Sequence, residues 1–86
     1  MKAKVTVYPR REILDPQGKA IRQALERSGF GEVREVRAGK SFELDLGEID
    51  AAAAAERVGA MCEQLLANTV VEEYAIEIVN GGGGAA

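Results

Sequence analysis

The stretch Asp15-Pro16-Gln17-Gly18-Lys19 is where residue types and spacing first suggest ligand chemistry. Free amides at a helix start, followed by a lysine, can cradle a phosphate. Asp15 argues against that use, because a capping carboxylate takes the positive end of the helix and repels a second anion. Gly18 and Lys19 also lack Walker spacing, as no earlier glycine stands where that loop needs one. Glu43, Asp45 and Glu48 invite a metal site or an acid and base pair. Glu43 and Asp45, however, share the outward side of an alternating strand, where a solvated sheet face is the plainer reading. Glu72 and Glu73 beside Tyr74 read the same way. Arg34, Arg37 and Lys40 flank a turn at Gly39, and such a basic hairpin either meets an acidic partner or keeps the surface soluble.

The missing residue types narrow the chemistry further. The 86 residues include no histidine, which removes Ser-His and Cys-His nucleophile pairs and the usual general base at neutral pH. Cys62 lies in an apolar helical run next to Met61 and reads as a small buried hydrophobe. Any catalysis would have to run on carboxylates, lysine or tyrosine. A chain of this length builds one core, and modules of this kind often gain stability by oligomerising or docking on a larger partner. The opening "MKAKVTVYPRR" alternates instead of forming a continuous apolar run. No signal peptide, transit peptide or membrane span is therefore expected, and the protein reads as cytoplasmic.

Charge is unevenly divided. Residues 1–40 hold ten of the eleven Lys and Arg against five acids, whereas residues 41–86 hold Arg57 against nine. That split favours complementary pairing between halves of the fold or between copies. Nucleic acid is a poorer partner, because the basic residues are scattered and few aromatics are available to stack on bases.

The elements that must position these residues follow from periodicity. Residues 2–8, "KAKVTVY", alternate Ala3, Val5 and Val7 against Lys2, Lys4, Thr6 and Tyr8, and Pro9 ends the strand. Asp15 and Pro16 start a helix with its stripe at Ala20, Ile21, Ala24 and Leu25, stopped by Gly29. "EVREVRAGKSFELDLG" predicts two strands joined near Gly39-Lys40, the second with Phe42, Leu44 and Leu46 inward. Asp50 caps a second helix that runs to about Ala67 and packs through Ala51, Ala54, Ala55, Val58, Met61, Cys62, Leu65 and Leu66. A last strand alternates Tyr74, Ile76 and Ile78 with Glu73, Ala75 and Glu77. One domain is expected over residues 1–79, with a disordered glycine-rich tail at 80–86.

This order, β-α-β-β-α-β, predicts an α+β fold: a ferredoxin-like two-layer sandwich with an antiparallel sheet. Setting the basic first strand between the acidic third and fourth places opposite charges across strands and gives the order 4-1-3-2. One sheet face and two edges stay uncovered, and a second copy is the expected remedy, with exchange of a terminal strand an open option.

"LDPQGKAIRQAL" (14–25), "VREVRAGKSFELDL" (33–46) and "MCEQLLANTVVEEYAIEI" (61–78) resemble the small subunit of phosphoribosylformylglycinamidine synthase, the PurS family. The resemblance runs in order along residues 1–79. It implies dimers, tetramers or larger assemblies, and a complex with a PurL-type synthetase subunit and a PurQ-type glutaminase subunit. The synthetase would use ATP and magnesium to activate the amide of formylglycinamide ribonucleotide, while the glutaminase releases ammonia. The small subunit would bind no cofactor or metal, carry no catalytic residue and hold its partners so that ammonia passes between them. Asp15, Pro16, Gly18, Lys19, Arg37, Gly39, Lys40, Leu66, Ala67 and Asn68 match recurrent positions. All of these except Leu66 and Ala67 are candidate partner or oligomer contacts. The run of alanines at 51–55 and Thr69, where proline is frequent, depart from the pattern. Two alternatives stand beside this reading: a metabolite-sensing regulatory module of the same fold, and an RNA-binding domain, for which only Tyr8 offers a stacking surface.

Overall fold

Alternation makes β1 (Lys2–Pro9) a strand with one apolar side, and it becomes the centre of the sheet. The computed structural model describes residues 1–79. β2 (Lys40–Asp45) and β3 (Glu72–Val79) flank β1, both antiparallel, in the order β2-β1-β3. The register sets Lys4 between Glu43 and Glu77, and Lys2 opposite Asp45. This is the charge arrangement expected from the sequence, and it holds for the three strands that form. On the other face Ala3, Val5 and Val7 are buried, with Phe42, Leu44, Tyr74, Ile76 and Ile78 packed around them.

Helix α2 (Ala51–Met61) covers that face. Asp50 caps it by accepting the Ala53 amide at 2.8 Å. Ala54 and Val58 are fully buried, the small alanine letting the helix lie close to the strands. The helix does not continue as α to Ala67: residues Cys62–Leu66 form a π-turn, in which the Ala67 amide donates to the Cys62 carbonyl at 3.1 Å. The wider turn presents Glu63 to β3, where the Tyr74 hydroxyl donates to Glu63 Oε2 at 2.7 Å. That hydrogen bond, with burial and the Glu63 charge, raises the Tyr74 pKa. Burial raises that of the Cys62 thiol, which stays neutral in the core as the sequence suggested.

Helix α1 (Pro16–Arg27) behaves differently. Asp15 caps it, and Gly29 at φ +98° follows the Ser28 C-cap, as expected. Yet Gly18 is its one buried residue, and none of Ala20, Ile21, Ala24 and Leu25 joins the core. Ile21 is 38% exposed and the preceding Leu14 74%. The helix projects beside the sheet instead of layering on it. The chain accordingly measures 48 × 31 × 14 Å with a radius of gyration of 16.2 Å, against about 12 Å for a compact chain of this size.

The expected strand at residues 33–38 does not form. Its segment has no regular secondary structure: the Ala38 amide donates to the Asp15 carboxylate and the Val36 carbonyl lies on Gly18. The segment is thereby tied to α1, and among the described residues the sheet has three strands where four were expected. The glycine-rich tail at 80–86 lies outside the described residues. Among those residues no helix is long and apolar enough to cross a membrane.

Because so few side chains make the core, each contributes heavily. Val58→Ala should lower unfolding free energy by about 2 kcal/mol in urea denaturation, whereas Ala55→Ser, at an exposed position of the same helix, should change it by less than about 0.5 kcal/mol.

Candidate functional site

The recurrent residues converge on one end of the sheet, where β1 finishes. Asp15 is the node. Its Oδ1 accepts the Gly18 amide at 3.0 Å, as an N-cap does, while Oδ2 accepts the Ala38 amide at 2.9 Å from a segment 23 residues away. These two amides hold the Asp15 carboxyl below its ordinary pKa of 3.8, with smaller help from Gln17 and the Arg37 charge. Pro16 follows at the first helical position, its fixed φ already helical. A Cβ on Gly18 would collide with the Val36 carbonyl oxygen and sit 2.7 Å from Asp15 Oδ2. Gly18 is therefore bare because residue 36 of the same chain crosses it.

Arg37 extends the tie to the sheet. One guanidinium nitrogen donates to the Pro9 carbonyl at 2.6 Å and to Glu73 Oε1 at 2.9 Å, and the group lies 5.1 Å from the Tyr8 ring centroid. Gly39 passes over β1 so closely that a Cβ would strike the Val7 carbonyl and the edge of the Tyr8 ring. Lys40 then begins β2, with Nζ 3.8 Å from Glu72.

Glu72 connects this cluster to Asn68. Its other oxygen accepts the Asn68 amide at 2.7 Å, the Asn68 side chain accepts the Val70 amide at 3.2 Å, and the Asn68 carbonyl accepts from Val71 and Glu72. Asn68 thus folds the loop that enters β3, a turn role typical of asparagine. Arg10 clamps the same loop, donating to the Thr69 carbonyl at 2.8 and 3.2 Å while its own amide reaches Val71.

Between α1 and the 33–37 segment lies an open cleft of about 570 Å³ lined by Asp15, Gly18, Lys19 and Arg37, together with Arg10, Arg11, Arg22 and Arg34. Of the candidate residues, those first four therefore share a cleft. Gly39, Lys40 and Asn68 shape the adjoining sheet end, and Pro16 is exposed on the helix start. Arg10, Glu72 and Val36 escaped sequence reasoning. The contributions of Arg10 and Val36 run through backbone carbonyls, and Glu72 looked like one more solvated acid. Among the described residues no three His, Cys, Asp or Glu side chains gather as metal ligands.

A three-stranded antiparallel sheet under one helix, with a second helix tied by a capping carboxylate to the segment before β2 and lying outside the core, defines a small α+β module with unfinished burial. Three comparisons place that module among known proteins. The family model PurS, phosphoribosylformylglycinamidine (FGAM) synthase, matches residues 2–80. The chain is similar to the synthase subunit PurS of Synechocystis, 46% identical over 86% of this chain and 72% of the relative, and to that of Mycobacterium leprae, 48% identical over 87% and 91%. The fold matches Bacillus subtilis PurS with a TM-score of 0.81 at 43% identity, covering 92% and 98% of the two chains. It also matches a chain in the structure of PurLQS from Thermotoga maritima, with a TM-score of 0.82 at 35% identity over 91% and 95%. The chain belongs to the PurS family of FGAM synthase subunits.

Two outcomes test the site. Gly18→Ala should lower the melting temperature even though alanine gains up to about 1 kcal/mol in helix propensity, because the Val36 carbonyl cannot yield without breaking the Ala38 bond. Asp15 has a depressed pKa when folded, so its charge stabilises the fold above 3.8 and that contribution fades as pH falls through the lower folded value. In Asp15→Asn, urea midpoints should be lower near neutrality and should drop less on acidification over that range than in the parent chain.

Proposed function

We propose that the chain is the non-catalytic assembly subunit of the FGAM synthase complex in purine biosynthesis. It joins an ATP-dependent, PurL-type synthetase to a PurQ-type glutaminase and aids ammonia transfer between them. In this reading ATP and magnesium act on the synthetase, and this subunit binds no cofactor. The complex works in the cytoplasm. One observation carries the proposal: the chain leaves its own apolar surface unfinished, with the α1 stripe outside the core and both outer strands lacking a neighbour among the described residues. Such a chain is built to be completed by others. Family membership supplies the partners, since a relative of the same fold is part of PurLQS. Self-association as a dimer or tetramer is the first completion, through the open edges or the uncovered helix.

The chemistry of the chain supports a holding role. With no histidine, and with its strongest hydrogen-bonding carboxylate spent on two backbone amides, the site end is occupied in shaping the chain. Purified synthetase and glutaminase should form product from glutamine, ATP and formylglycinamide ribonucleotide only when this chain is added, and the three should co-elute. Equal glutamine-dependent rates with and without it would end the proposal. Ammonia-dependent synthesis by the synthetase should change far less than the glutamine-dependent rate.

A further inference from the structure

The cleft beside α1 holds more positive charge than its own carboxylates neutralise. Arg10 and Arg37 are committed to backbone carbonyls. Lys19 and Arg34 are exposed and take part in no ion pair among the described residues. Arg11 and Arg22 make only long pairs, an exposed one of 3.7 Å to Glu35 and a partly exposed one of 3.9 Å to Glu26. Pairs of that kind add little stability and give way to a better partner. The same cleft also exposes two apolar side chains, Ile13 and Leu14.

We propose that this cleft is a docking face for an acidic segment of a partner subunit, anchored by an apolar side chain on Ile13 and Leu14. Carboxylates of the segment meet Lys19 and Arg34, and draw Arg11 and Arg22 out of their intramolecular pairs. A protein segment suits the cleft better than a free phosphate. The Gly18 amide, the donor a phosphate would want, already serves Asp15, whose carboxylate also lines the cleft. A phosphate would further gain nothing from the two apolar residues. The inference rests on the assembly reading and names the face through which a partner binds.

The test measures association of the intact chain with the synthetase and glutaminase by titration at two salt concentrations. Lys19→Glu with Arg34→Glu should weaken association by about tenfold or more and flatten its salt dependence. Arg57→Glu, a charge reversal at an exposed position of α2 away from the cleft, should stay within about twofold. Circular dichroism should show both variants folded, as the Lys19, Arg34 and Arg57 side chains make no ion pair among the described residues. Unchanged association of the Lys19/Arg34 variant would overturn the docking face and leave the assembly role standing. Failure of the parent chain to associate would overturn both. Loss of self-association in that variant would make the occupant a second copy. Competition by millimolar inorganic phosphate at constant ionic strength would make the cleft a small-anion site. Either result contradicts the proposal.

Discussion

One carboxylate sets the geometry of half the molecule. Asp15 accepts two backbone amides from segments far apart in sequence, its own helix start and the irregular run that precedes β2. Ionised acceptors bind such amides more strongly than neutral ones do, and the depressed Asp15 pKa reflects that preference. With Ala38 held there, Val36 must cross Gly18, Arg37 falls beside Pro9 and Glu73, and Gly39 passes over Tyr8. The cleft is the space this tether leaves between α1 and the crossing segment.

The tether also divides the chain into a finished part and an unfinished one. The sheet and α2 bury a small core of valines, alanines and Cys62. Helix α1 and residues 28–39 are fastened at one end and contribute no side chain to that core. A free-standing domain would gain by folding the Ile21 and Leu25 side of α1 onto apolar surface. Holding it away makes sense for a subunit whose stable form is an assembly, which accords with the family to which the chain belongs. The charge division has the same character: basic residues concentrate around the tether, while acids line the outer strands.

Much of this was legible in the sequence because it depends on near neighbours. Strand alternation, the Asp15 and Asp50 caps, the Gly29 stop and the flanking of Lys2 and Lys4 by acidic strands are local or nearly local patterns, and each appears where expected. Two features were not legible. Residues 33–38 are less regular than the other strands but set Val36 and Ala38 on one side as a strand would; a strand needs a neighbour to pair with, and the Asp15 carboxylate takes the Ala38 amide instead. The π-turn at Cys62–Leu66 has no marker in a run of ordinary helix formers. The site itself was half readable. Asp15, Gly18, Lys19 and Arg37 stood out, and a bare glycine in a first helical turn suits the close approach of another backbone; a partner or second copy was the expected source, but it is Val36 of the same chain, whose carbonyl carries no side-chain signature.

Amide hydrogen exchange along α1 tests the central claim most directly. This helix is uncovered in the single chain and, on the proposed function, covered in the assembly. Amides from Ile21 to Arg27 should exchange at least about tenfold more slowly in the mixture with synthetase and glutaminase than in the dilute chain, while those of β1 change little. Equal protection of α1 in both states would mean that the helix already buries its apolar side alone, and would contradict the account.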